Sequence, residues 1–479
     1  MRTRRVEDVQ FDFLVSAMSH GRFMSTDNIL VWMTHQNEEV ATNIKQVSID
    51  KLKGWCFRDD KVCHNSGYFY SIEGIRVETN YRDTHQWDQP IINQPEIGLL
   101  GFIVKKIDGV LHFLIQAKVE PGNLNLVQLS PTLQATRSNY MLRHGGKTPD
   151  YLEYFNGTKD VAVLVDQLQS EQGSRFLHKR NRNMIVEVDE KEDIEVKTRF
   201  SWVSLGQIKE LLRYPNVVNM DSRTVVACIN FGSYPEHTLN LLDRMLQMTD
   251  TPSLKQDSFL YSVLRDDNPL HDLQDIIQWI TAMKFKYELS IRPIGISQMR
   301  QWTYDGHTIY RKDGKYFDVI GVSIEIGNRE VVSWDQPMVR PAQAGLIAFL
   351  VKRIRGIYHF LVQAKLECGN FDVVEMAPTV QCMTGNYRKG QNEYTIPYLE
   401  DVLNAPKERI WYCSYQSEEG GRFFQEQNLN MIVEVGEDFP LSVEDHYYWM
   451  TLSQMLSFVS YNHYFNMAAR SLISAIHFY

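Results

Sequence analysis

His112-Phe-Leu-Ile-Gln-Ala-Lys118 is repeated as His359-Phe-Leu-Val-Gln-Ala-Lys365, and the same shift of 247 positions carries Trp87-Asp-Gln-Pro90 onto Trp334-Asp-Gln-Pro337. Working outward, Pro131-Thr-Leu-Gln134 falls on Pro378-Thr-Val-Gln381, Asn139-Tyr140 on Asn386-Tyr387, and Gln169-Ser-Glu171 on Gln416-Ser-Glu418. Asn183-Met-Ile-Val-Glu-Val188 falls on Asn430-Met-Ile-Val-Glu-Val435, Trp32 on Trp279, Trp55 on Trp302, and Trp202 on Trp449. One offset held without net insertion from Trp32 to Asn219-Met220 is the mark of a tandem duplication. The chain divides into an extension 1–26, a first unit 27–229, a connector 230–273 and a second unit 274–479. The connector carries Leu239, Leu241, Leu242, Met245 and Met248 at helical spacing and reads as a helix plus loop.

Inside one unit, Gly98–Lys106 and Val110–Lys118 are apolar runs around Ile107-Asp-Gly109, which predicts a hairpin. The second unit keeps the turn as Ile354-Arg-Gly356. Glu120-Pro-Gly-Asn123 turns the chain into a third strand from Leu124 to Leu129. Ser204 caps a helix that presents Leu205, Ile208, Leu211 and Leu212 on one side. Residues 160–169 fit strand or helix equally well. Each unit is thus mixed α/β, of the α+β kind, with mainly antiparallel sheets and flanking helices.

The bulk properties exclude several classes. The 479 residues carry 50 basic and 59 acidic side chains and 43% hydrophobic residues, a globular composition without the basic excess of a nucleic-acid binder. The six cysteines form no C-x-x-C pair, which suits reduced, buried thiols. Met1-Arg-Thr-Arg-Arg5 leads into Glu7 and Asp8 with no apolar stretch behind it, and no uncharged run is long enough to span a bilayer. A cytoplasmic protein with no membrane contact is the expectation. No G-x-G-x-x-G after a strand, no phosphate-binding Walker loop, no G-x-S-x-G elbow and no His/Cys/Asp/Glu group at metal-ligand spacing is present.

Two polar constellations remain. His112, Gln116 and Lys118 alternate with Phe113, Ile115 and Ala117, and Glu120 continues that side of the strand. A solvated face competes with a pocket lining here, but the same His, Gln, Lys and Glu stand in both units, which favours a pocket. The second constellation is Ser170-Glu-Gln-Gly-Ser-Arg175 followed by Lys179, Arg180 and Arg182, a set of cations suited to a diphosphate. Its counterpart keeps Arg422 but has Glu426, Gln427 and Leu429 where the first unit has Lys179, Arg180 and Arg182.

Trp-Asp-Gln-Pro, the strand end Gln116–Asn123, Ser130–Tyr140, Ser170–Phe176 and Asn216-Val-Val-Asn-Met-Asp221 together resemble the NDP-hexose 2,3-dehydratase family over nearly the whole chain. That resemblance implies two tandem Nudix-like domains from an internal duplication, a homodimer, and a dTDP-linked 4-keto-6-deoxyhexose as substrate. It also implies that one of two nucleotide-sugar pockets per subunit is the active one, taken here to be centred on the first unit. A Nudix hydrolase would carry a glutamate box after Gly122 or Gly369; only Glu375 matches by spacing, so neither metal nor cofactor is expected. Within the resemblance, His112, Lys118, Glu120, Tyr140 and Glu171 form an acid–base pool from which no single base is chosen. Trp87, Gln89, Asn139, Ser170, Arg175, Lys179 and Arg180 are assigned to substrate binding, and Trp334, Gln336, Asn386, Tyr387, Ser417 and Arg422 to the second pocket. The rival readings are a Nudix-type nucleotide-sugar hydrolase and a non-catalytic nucleotide-sugar-binding protein.

Overall fold

A computed structural model describes residues 3–82, 85–137, 148–248, 258–265, 268–327, 331–382 and 395–478. The hairpin of the first unit forms from Gly98–Ile107 and Val110–Val119, with Asp108 at φ 50° and Gly109 at φ 80°. Two central residues with positive φ match the strand twist, so Asp-Gly serves well there. Arg355 takes φ 51° at the equivalent position, held by the hairpin Gly345–Ile354 and Ile357–Lys365 around it.

Each hairpin is the centre of a seven-stranded sheet. In the first unit the order is Ala162–Ser170, Arg180–Glu187, Gly98–Ile107, Val110–Val119 and Phe200–Ser204, with Val127–Ser130 and Leu133–Ala135 added to the central pair. Only the pairing of Arg180–Glu187 with Gly98–Ile107 is parallel. The ambiguous run 160–169 is therefore a strand. The third strand starts later than expected, at Val127, because Leu126 turns the chain at φ 63°. Phe102, Phe113, Phe349 and Phe360 lie fully buried in one continuous core, each contributing about 1.5–3 kcal/mol.

Helix Leu205–Leu211 begins with a capping box between Ser204 and Gln207, and Leu452–Val459 repeats it with Thr451 and Gln454. Helix Val6–Ala17, in the extension, is tied to this frame: Ser16 Oγ donates to Leu111 O (2.6 Å) and accepts from Leu205 N (2.9 Å). Helix Phe259–Leu264, in the connector, does the same work in the second half, where Ser262 Oγ accepts from Tyr358 N (3.0 Å). The connector also holds the helix Glu236–Met248. The duplicated structure thus extends beyond the duplicated motifs.

The two units are not side by side. Strand Thr42–Val47 of the first pairs with Phe317–Ile326 of the second, and Leu289–Ile294 of the second pairs with Ser71–Thr79 of the first. The registers are reciprocal: Thr42 faces Ile326, and Leu289 faces Thr79. Arg223, on helix Met220–Val226, donates to Ser417 O, and Arg470, on helix Met467–Ser474, donates to Ser170 O; both guanidiniums are fully buried. Where the chains cross, Gly122 N donates to Gly420 O (2.8 Å) and Gly369 N to Gly173 O (2.6 Å). A Cβ at Gly122 would collide with the Phe423 carbonyl, so the crossing admits only glycine.

Candidate active site

The crossing builds a cavity of about 250 Å³ from both units. Lys118 and Glu120 reach it from the end of the hairpin strand, Glu171 and Lys179 from the turn between two core strands, and Asp221 from the first turn of helix Met220–Val226. The second unit supplies Trp334, Gln336, Glu419 and Arg422 to the same wall. Alternation along the strand explains why Lys179 and Asn181 face the cavity while their neighbours turn away.

Lys118 Nζ donates to Gln134 O (3.2 Å), and Gln134 Nε2 donates to Glu120 Oε1 (2.7 Å). Gln134 Oε1 in turn accepts from Asn219 Nδ2 (3.1 Å), the residue that caps the helix carrying Asp221. Asn181 Nδ2 donates to one oxygen of Glu171; the other, with Asp221 Oδ1 and Glu419 Oε2, is buried without a hydrogen-bond partner. Burial, then the Glu419 charge, raises the Glu171 carboxyl to about 8. Burial, then Glu120, raises Glu419 to about 7, and burial with Glu419, Glu171 and Glu120 raises Asp221 well above its ordinary value. Lys179, which donates to Glu96 O, is lowered to about 8 by burial. Arg422 lies over the Tyr70 ring at 4.2 Å and donates to Gln94 Oε1 (3.2 Å). The site can hold an anion at Lys179 and Arg422 and exchange protons among crowded carboxyls.

The expected residues are sorted differently by the crossing. Lys118, Glu120, Glu171 and Lys179 come together. Trp334, Gln336 and Arg422, expected in the second pocket, line this one, where Gln336 Nε2 donates to Gly421 O (2.6 Å). Arg175, expected here, stacks instead on Phe317 of the second unit at 4.1 Å and acts on Glu367 and Glu426 there. Trp87 and Gln89 go with it: Trp87 Nε1 donates to Gln89 Oε1 (2.9 Å), and Gln89 Nε2 to Ser174 O (2.9 Å). The reason is that the residue after each loop glutamate, and the arginine after that, cross to the other half; Gln172 Nε2 donates to Glu418 Oε2 (2.5 Å).

His112 stands six residues from Lys118, about 20 Å along the strand. It is buried by Phe23 and hydrogen-bonded through Nδ1 to Val110 O (2.9 Å), so it is part of the core. Ser170 Oγ donates to Glu375 Oε2 (2.8 Å) and Ser417 Oγ to Gln128 Oε1 (2.8 Å), each binding one half to the other. Arg180 lies over Phe371 at 5.0 Å, and Arg182 pairs with Asp166. Asn139, Tyr140, Asn386 and Tyr387 lie outside the described residues. Asp221 and Glu419 also line the cavity and are not among the expected residues; their signal in the sequence is replacement by Ala468 and Gln172 in the other copy. Among the described residues no helix is long and apolar enough to cross a membrane, and no His, Cys, Asp or Glu group is placed to hold a metal ion.

A family model described as NDP-hexose 2,3-dehydratase matches residues 26–229 and again 273–476. A dTDP-4-dehydro-6-deoxy-alpha-D-glucopyranose 2,3-dehydratase of Saccharopolyspora spinosa is 43% identical over 97% of this chain and 94% of its own length. Proteins of the same description from Amycolatopsis orientalis and Streptomyces violaceoruber are 37% and 39% identical, over 97% and 95% of this chain and 92% and 98% of theirs.

Proposed function

The chain belongs to the NDP-hexose 2,3-dehydratase family, and from that premise we propose that the cavity between its units is where the elimination runs. The activity is that of a hydro-lyase: dTDP-4-keto-6-deoxy-D-glucose loses its C2 hydroxyl and yields a 3,4-diketo-2,6-dideoxy sugar. The observation that carries the placement is that two cations, Lys179 and Arg422, share one cavity with Lys118 and the carboxyls of Glu120, Glu171, Asp221 and Glu419.

A ketone at C4 acidifies the C3 hydrogen. Glu120, which accepts a hydrogen bond from Gln134 and shares its strand end with Lys118, takes that proton. The Lys118 ammonium stabilises the enolate oxygen, a charge that exists only beyond the ground state. The enolate expels the C2 oxygen, C2 and C3 become doubly bonded, and the C4 carbonyl returns. The resulting enol tautomerises to the diketone. Lys179 and Arg422 hold the diphosphate, Trp334 or Trp55 stacks on thymine, and this remote binding fixes the sugar for reaction. Arg175, Trp87 and Gln89, with Lys365, Glu367, Glu418 and Glu426, belong to the equivalent region of the other half, which does not turn over substrate. The protein works as two Nudix-like units in a cytoplasmic homodimer; exposed Leu241, Met245 and Met248 on the connector helix support the dimer.

Incubation with dTDP-4-keto-6-deoxyglucose, with and without chelator, followed by mass analysis, tests the activity. Loss of one water in both samples is expected. Magnesium-dependent release of nucleoside monophosphate would point to a hydrolase, and tight binding without loss of water to a binding protein.

A further inference from the structure

The cavity and the equivalent region of the other half share a frame and differ in the charged groups around it. In the first, Asn219 holds Gln134 and Gln134 holds Glu120; in the second, Asn466 Nδ2 donates to Gln381 Oε1 (2.8 Å) and Gln381 Nε2 to Glu367 Oε1 (3.0 Å). Lys118, buried, and Lys365, half-buried, hold equivalent strand positions beside these hydrogen-bond chains. The groups that make an enolate are therefore present twice. Two residues on from each asparagine cap, the cavity has Asp221 and the equivalent region of the other half has Ala468.

Resting on the elimination described above, we propose that Asp221 is the general acid that gives a proton to the departing C2 hydroxyl. Its side chain is 3% exposed, lines the cavity, and leaves Oδ1 without a hydrogen-bond partner, so a substrate hydroxyl would be the group to satisfy it. Glu120 and Lys118 face it from the hairpin strand, Glu171 and Lys179 from the core turn, and Glu419 and Arg422 from the second unit. Burial and the three glutamates outweigh Lys118 and raise the Asp221 carboxyl well above its ordinary value, which favours the protonated form that a donor needs. As the C2–O bond breaks, its electron pair stays with oxygen, which takes the Asp221 proton and leaves as water. The proton taken from C3 returns from Glu120 to Asp221 through the cavity, so the cycle consumes nothing.

Asp221→Asn separates the two halves of the reaction. In D₂O the variant should exchange the C3 hydrogen of the 4-keto sugar at a rate close to wild type, above the enzyme-free rate, while loss of water falls about 10²–10⁴-fold. A 2-deoxy-2-fluoro substrate, whose fluoride leaves with little acid assistance, should be turned over by Asp221→Asn within about tenfold of wild type. Glu120→Gln should lose exchange and elimination together. Loss of C3 exchange in Asp221→Asn, loss of its dTDP binding, or turnover within a few fold of wild type would each overturn the assignment. Failure of the wild-type protein itself to release water from the 4-keto sugar would instead overturn the dehydratase reading, and this assignment with it.

Discussion

Glu171 and Glu418 occupy the same place in the two units, each hydrogen-bonded by the asparagine ten residues on, yet their surroundings have diverged. Beside Glu171 stand Lys179, Asp221 and Glu419; the equivalents in the other half are Glu426, Ala468 and Gln172. What the halves share is the scaffold that positions a lysine and a glutamate. What differs is the set of groups able to donate protons or meet an anion. Duplication thus supplies two binding frames, and three side chains are enough to make them chemically unequal.

Separating the halves should have the largest effect. Expressed alone, residues 1–248 and 249–479 should each fail to fold, because each lacks the strand that the other contributes; co-expression should recover a soluble complex. A cooperative unfolding transition from either half alone would contradict the strand exchange. Next, Arg422→Ala should lower kcat/KM by about a hundredfold or more, since it removes a half-buried cation from the proposed active cavity. Arg175→Ala should leave turnover within about threefold. Equal losses would show two equivalent pockets, and the reverse order would restore Arg175 to the active one.

The smallest effect concerns a hydrogen bond made twice. Ser417 donates to neutral Gln128, but Ser170 donates to Glu375, which burial raises to about 8. A carboxyl held above its ordinary 4.5 contributes stability that is fully present below about pH 4.5 and is lost as pH rises through about 8. Glu375→Gln should therefore flatten the fall in Tm between pH 5 and 9, by roughly 2 °C for each kcal/mol recovered. An unchanged slope in thermal melts would show that Glu375 does not titrate with folding.

Much of the fold was legible in particular residues. Asp108-Gly109 announced its turn because few pairs tolerate two positive φ angles. Ser204 announced a helix start because its hydroxyl can accept from a free backbone N–H of the first turn, and the structure adds Gln207 as its reciprocal partner. Of the candidate site, Lys118, Glu120, Glu171 and Lys179 are picked out by motif and line one cavity. His112 was misread, since a polar residue on a strand face looks the same whether that face ends in a pocket or in a core. Arg180 and Arg182 were read with Lys179 as one cationic set, which strand alternation then split.

Sequence by itself determined the duplication, the elements of each unit and the chemistry available to them, because these depend on spacing, turn preference and side-chain type. Only the tertiary structure decided which half serves which pocket. Two copies of one unit offer nearly identical edges, so Thr42–Val47 can pair with its own sheet or with the other, and local preference cannot distinguish them. The choice is made by the crossing at Gly122 and Gly369, which carries Arg422 to the first unit's cavity and Arg175 onto Phe317 of the second unit.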